Sequence, residues 1–212
     1  MNSLTLAAML CAKLCHDLVG PIGALNNGIE ILADEEDPAQ RAEASELLGA
    51  SALEAARRLR FFRIAFGVAG SLGQAIDAGE LRSAAEEYFA AGKVRLAWPR
   101  PSGGDAGRSL DKREAKLLLN LILLAAAALP RGGTIAVGLG TGTRRFEVRA
   151  EGAAIRFEAE LATALVGGLD EALLDTHNVI ACYAAAQARD LNGRIGLERP
   201  QETALVLAFA TA

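Results

Sequence analysis

The chain has 212 residues, 51% of them apolar, with 22 Lys and Arg against 26 Asp and Glu for a formal net charge of -4. That length and apolar share suit one large domain or two small ones around a substantial core, and they exclude a disordered or low-complexity chain. Basic residues are scattered among acids, which leaves no electrostatic footprint for nucleic acid.

Ser3 is placed to cap a first helix that runs to about Ala33. Leu4, Ala7, Ala8, Cys11, Leu14, Leu18, Leu25, Ile29 and Leu32 recur in it at steps of three, four or seven, the stripe a helix buries. Pro21, which lacks an amide donor, predicts a bend at Gly20-Pro21. His16 is off the stripe. At about 100° per residue it stands roughly 200° around the helix from Leu14 and Leu18, so a buried stripe turns the imidazole to water. Gly20, Gly23 and Asn27 share its face at steps of four, three and four, and such small residues leave room for a partner's backbone.

The run Asp34-Glu35-Glu36-Asp37 makes a turn, and Asp37-Pro38 is a cap and first-turn pair for a second helix reaching about Phe66. Two such helices form an antiparallel hairpin that cannot bury both apolar stripes alone. A symmetric dimer closing a four-helix bundle is therefore expected. Arg57, Arg58, Arg60 and Arg63 fall near the level of His16, where they either attract an acidic partner or solvate the bundle.

Gly67 to Gly73 reads as a linker, dividing residues 1–70 from 71–212. Beyond it the pattern predicts helices near 77–91, 110–129, 158–166 and 175–191, with strands near 93–98, 134–139, 144–150, 194–199 and 203–209. Gly140-Thr141-Gly142-Thr143 supplies a hairpin turn. The expected fold is α+β, with helices on one face of a mainly antiparallel sheet. His177 falls at a helix start, as a cap or packing residue.

Cys11, Cys15 and Cys182 make no disulfide framework, and Cys11 and Cys15, four apart, are expected to be small core residues. Three residues separate them where a haem attachment motif has two, and no second ligand cluster of metal-site spacing follows, so no haem or metal is expected. The longest apolar run, Leu117 to Leu129, is interrupted by Asn120 and short for a bilayer span. With no cationic leader and apolar run at the N-terminus, a cytoplasmic protein without a membrane segment is expected.

The whole pattern resembles two-component signalling proteins: a helical hairpin bearing a phospho-acceptor histidine, followed by a domain like the ATP-binding domain of histidine kinases. In that family the acceptor is followed at once by an acid and, five residues on, by a proline, and His16, Asp17 and Pro21 match. Asp111 to Gly133 aligns with the kinase helix that carries the magnesium-binding asparagine, through Asn120-Leu121-Ile122 and Pro130-Arg131-Gly132-Gly133-Thr134. The second, magnesium-binding asparagine of that pattern, however, falls at Leu124 and the following basic residue at Ala127. Ala150-Glu151-Gly152-Ala153-Ala154 lacks the adenine-recognising aspartate, and Thr176-His177-Asn178-Val179-Ile180 has no glycine for a phosphate loop.

A kinase shape without nucleotide chemistry, joined to His16-Asp17-Leu18-Val19-Gly20-Pro21, resembles the ChpT-type histidine phosphotransferases of alphaproteobacteria, as do His177, Tyr183 and Asn192-Gly193-Arg194. The resemblance implies an α/β sandwich of the histidine-kinase ATPase type after the hairpin, a homodimer, and a phosphoryl group accepted on His16. The donor implied is the receiver domain of a CckA-like hybrid kinase, and the acceptors are CtrA-like and CpdR-like response regulators. It implies no ATP binding and no resident metal, since the receiver brings a divalent ion of its own. Gly20 stands where many kinases have a polar residue supporting phosphatase action, so water activation is not expected there.

Within this reading neutral imidazole is the nucleophile, and Asp17 orients it or assists its proton. Lys13, one turn earlier, steadies phosphoryl oxygens or docks the partner together with Gly20, Gly23 and Asn27. Two other readings are an ATP-dependent histidine kinase core and a dimeric scaffold without phosphoryl chemistry. The second domain either stiffens the dimer or enlarges the docking surface.

Overall fold

The computed structural model describes residues 2–67, 75–99, 109–140 and 144–211. Two long helices, α1 (Ser3–Asp34) and α2 (Pro38–Phe66), form the antiparallel hairpin. The side chain of Asn2, rather than Ser3, caps α1 by accepting from the Leu4 amide at 2.9 Å. Asp37 caps α2, with Pro38 in its first turn where a missing N–H costs nothing. Most of the expected linker, residues 68–74, lies outside the described residues, as do 141–143 of the expected hairpin turn.

Beyond the hairpin come β1 (Ala75–Asp77), α3 (Ala78–Phe89), β2 (Val94–Ala97), β3 (Ser109–Asp111), α4 (Lys112–Ala127), β4 (Gly133–Leu139), β5 (Arg144–Glu151), α5 (Ala159–Leu165), a 3-10 turn at Glu171–Leu173, α6 (Val179–Asp190), β6 (Gly193–Gln201) and β7 (Ala204–Thr211). The main sheet has the order β2-β4-β5-β7-β6, with only β2 and β4 parallel. Its register stacks apolar side chains across strands: Val137 opposite Val148, Val148 opposite Leu207, Phe146 opposite Phe209 and Phe209 opposite Ile195. All of these sit in the core, whereas the alternate positions of β6 are exposed. Gly132 turns the chain from α4 into β4 at φ 82°, where a Cβ would also run into the Lys93 carbonyl.

Three expectations need correction. The short pair β1–β3 was not anticipated, because three-residue strands carry no readable alternation. Helix α6 begins at Val179, not near 175, since Asp175 accepts from the amides of His177 and Asn178 and holds that stretch as a turn. Cys11 and Cys15 are exposed rather than in the core. On α1 the face against α2 and the second domain is that of Leu6, Leu10, Leu14, Leu18, Pro21 and Gly28. Leu4, Ile22 and Ile29, on the same side as the cysteines, are more than half exposed.

The halves share one core. Phe61, Phe62 and Ala65 of α2 are buried with the side chains of α4 and the sheet. Phe61 packs on Tyr88 of α3 with ring centroids 4.4 Å apart, and Phe66 on Tyr183 of α6 at 5.8 Å. Arg60 reaches Glu87 of α3 through two bonds of 2.6 and 2.7 Å, which together with the Ser83 hydroxyl hold that carboxyl below its ordinary range. These contacts set the second domain against the C-terminal end of α2, at the open end of the hairpin.

Candidate functional site

His16 lies midway along α1, its side chain 83% exposed as its place off the buried stripe requires. Nδ1 is 3.3 Å from Asp17 Oδ1. Asp17 is only 19% exposed and is held by Lys13, whose Nζ donates to Oδ1 at 2.6 Å and to Oδ2 at 2.8 Å. Lys13, His16 and Asp17 thus form one connected group, as a step of four followed by an adjacent residue on a helix allows. When Nδ1 carries the proton and donates to Asp17, the lone pair of the neutral ring is on Nε2.

Gly20, Gly23 and Asn27 are exposed, and a Cβ built on either glycine meets nothing within 4 Å. The glycines are therefore not there to relieve crowding, and the face beyond His16 is open. Pro21 is buried within α1, which continues through it.

Arg58 was not among the expected site residues, being one of four arginines named only by level. It is the one whose Nη1 donates to the Asp17 backbone carbonyl, at 2.6 Å, while Nη2 bonds Glu54 Oε1 at 2.5 Å. A side chain bonding to a backbone atom 41 residues away leaves no spacing signal in the sequence.

A cleft of about 440 Å³ opens between the hairpin and the second domain beside His16. Lys13, Leu14, His16 and Asp17 line it from α1, with Arg58, Phe62 and Phe66 from α2, and Tyr88 and Phe89 from α3. The far wall is Leu123, Leu124, Ala126 and Ala127 of α4, Leu161 of α5, and Thr176, His177 and Ile180. Burial pushes the Tyr88 phenol up to about 12, with the Asp17 charge adding to it.

Leu124 and Ala127 thus face the space beside His16, and the two positions supply neither an oxygen for a metal nor a cation for phosphates. His177 is neither cap nor packed residue. It is 62% exposed in the cleft wall, with Nε2 3.7 Å from Glu158 Oε2. The buried residue is Asn178, whose Nδ2 donates to Glu160 Oε1 at 2.6 Å and to the Leu173 carbonyl at 2.8 Å.

Residues 78–203 match the family model of the histidine phosphotransferase C-terminal domain. The chain is 38% identical over 204 residues to a protein phosphotransferase ChpT of Brucella abortus (strain 2308), an alignment covering 95% of this chain and 94% of the relative. It is also similar to a bacterial phosphotransferase solved at 1.7 Å, with a TM-score of 0.82 and 34% identity over 99% of this chain and 97% of the other.

Proposed function

The chain belongs to the histidine phosphotransferase family, of the ChpT type, and we propose that it acts as a phosphorelay intermediate with His16 as its carrier. The donor is the receiver domain of a hybrid histidine kinase of the CckA kind, and the acceptors are response-regulator aspartates of the CtrA and CpdR kind. The observation that carries this reading is the exposed His16 with Nδ1 at Asp17 and, among the described residues, no partner on the opposite ring nitrogen.

In the forward step Nε2 attacks the phosphorus of the receiver's aspartyl phosphate. The P–N bond forms as the P–O bond to the receiver carboxylate breaks, and that carboxylate leaves with the electron pair. Positive charge builds on the ring and is shared through Nδ1–H with Asp17. In the onward step a regulator carboxylate attacks the same phosphorus, the P–N bond breaks, and the ring returns to its neutral form. The receiver brings the divalent ion that neutralises the transferring oxygens, so this chain supplies placement. Lys13 holds both oxygens of Asp17 in place, at 2.6 and 2.8 Å, which favours an orienting role for Asp17 over proton abstraction.

Leu124 and Ala127 in the cleft wall argue against the kinase reading, since a metal-bound triphosphate would meet methyl groups there. The exposed line of Leu4, Cys11, Cys15, Ile22 and Ile29 on α1, with Leu53 and Leu59 on α2, supports the homodimer. Among the described residues α1 is long and apolar enough to cross a membrane, but Lys13 and Asp17 pair at its middle on the face against α2. A bundle seam in a cytoplasmic protein accounts for its outer stripe.

The experiment is a comparison of phosphoryl sources. Labelled phosphate from a phosphorylated receiver domain appears on the chain as an acid-labile, base-stable adduct, whereas labelled Mg-ATP alone deposits none. Labelling from ATP alone would instead make the chain a kinase, and labelling from neither would favour the scaffold.

A further inference from the structure

A proline within a helix removes one N–H, and the carbonyl four residues before it loses its helical partner. In α1 the proline is Pro21 and the carbonyl belongs to Asp17, the neighbour of His16. That acceptor is taken from outside the helix by Arg58 Nη1 of α2 at 2.6 Å, while Glu54 Oε1 fixes the other end of the fork at 2.5 Å. Leaving such an acceptor unpaired in a partly buried place is costly, so Pro21 and Arg58 form one unit.

The unit borders His16 on two sides. Arg58, His16 and Asp17 line the large cleft together, and the same three line a second hollow with Pro21 and Glu54. We propose that Arg58 is a positioning residue for phosphoryl transfer through His16, an inference that rests on the function proposed above. By taking the carbonyl that Pro21 frees, it locks the α1 backbone at Asp17 to α2. It thereby sets the direction in which the imidazole and its orienting carboxylate face an incoming phosphorus. The planar fork suits this because it serves two acceptors at once, which a lysine cannot do with the same rigidity. Displacements of about 1 Å at a reacting group cost on the order of 100-fold in rate, so a backbone lock at this residue matters.

The test is a double-mutant cycle on the full chain, with a phosphorylated receiver domain as donor and transfer followed by rapid quench. Arg58→Met lowers the limiting rate at saturating donor by about 10- to 100-fold, with the half-saturating donor concentration held within about threefold. In the Pro21→Ala background, where residue 21 offers its own amide to the Asp17 carbonyl, the same substitution costs less than about threefold. Arg58→Lys, which keeps a donor and the stem, recovers part of the rate and serves if Arg58→Met folds poorly.

The ring is also read without any donor. In 15N spectra of the unphosphorylated protein, Arg58→Met shifts the Nδ1/Nε2 proton balance of His16 when Pro21 is present and leaves it unmoved in the Pro21→Ala background. Equal losses with and without Pro21, or a change confined to the half-saturating concentration, would overturn the proposal. If the wild type takes no phosphoryl group from any receiver, the phosphorelay reading fails, and the spectra still decide whether Arg58 positions the ring.

Discussion

One carboxylate oxygen serves two neighbours: Asp17 Oδ1 is 2.6 Å from Lys13 Nζ and 3.3 Å from His16 Nδ1. The ammonium holds it more closely, so the imidazole is steered by a carboxylate whose own place is fixed. Asp17→Asn, which keeps the shape and removes the charge, is expected to slow transfer from a phosphorylated receiver by about 100-fold, the scale of a reacting group displaced by about 1 Å. Lys13→Ala is expected to cost less, because Asp17 then still reaches His16. Rapid-quench rates of the two variants check the order, and a larger loss in Lys13→Ala would assign the lysine a direct part at the phosphoryl group.

Much of this arrangement could be read before the structure. The two long helices, their turn at Asp37-Pro38 and the exposure of His16 follow from apolar spacing and cap chemistry, which are local. The five strands of the main sheet fall where alternation of apolar residues placed them. What could not be read depends on partners far apart in the chain. The apolar residues of α1 occupy more than one face, so spacing turned Leu14 and Leu18 inward correctly but could not say that Cys11 and Cys15 turn out. Arg58 was lost among four arginines because its acceptor is a backbone carbonyl exposed by a proline on another helix.

Asn120 ties three elements. Buried completely, its Nδ2 lies 2.8 Å from the Lys116 carbonyl, 3.3 Å from the Ala65 carbonyl of α2 and 3.3 Å from Gln187 Oε1 of α6. Asn120→Ala is expected to cost about 1–3 kcal/mol, since it strands acceptors in a dry place. Urea unfolding of wild type and variant measures this, and an unchanged midpoint would show the tie to be unimportant.

Tyr88 gives the fold a signature at high pH. Its phenol ionises at about 12 in the folded chain against about 10 when unfolded, chiefly through burial and secondarily through Asp17. Between those values the folded state holds the proton more tightly. Its contribution is whole below about pH 10 and is lost as pH rises towards 12. The rise from about 10 to about 12 makes this roughly 3 kcal/mol at most. Unfolding free energies at pH 9 and pH 11.5 should show the fall in wild type and a smaller one in Tyr88→Phe.

The outward stripe of α1 predicts its own disruption. Ile22→Glu and Ile29→Glu place charges at apolar positions that are more than half exposed in the single chain, so they should leave its fold unchanged. In light scattering the wild type is expected at twice the chain mass and the double variant at one chain mass. A wild type already at one chain mass, or a variant that stays paired, would remove the dimer from the account.

The most direct measurement of the central claim is the location of the phosphoryl group. A phosphorylated receiver domain is mixed with the full chain, and the adduct is mapped in wild type and in His16→Ala. The account predicts a single N-linked phosphoryl group on His16, absent from the variant and discharged when a fresh unphosphorylated receiver is added. A phosphoryl group found at His177 or any other side chain, or retained in His16→Ala, would contradict it.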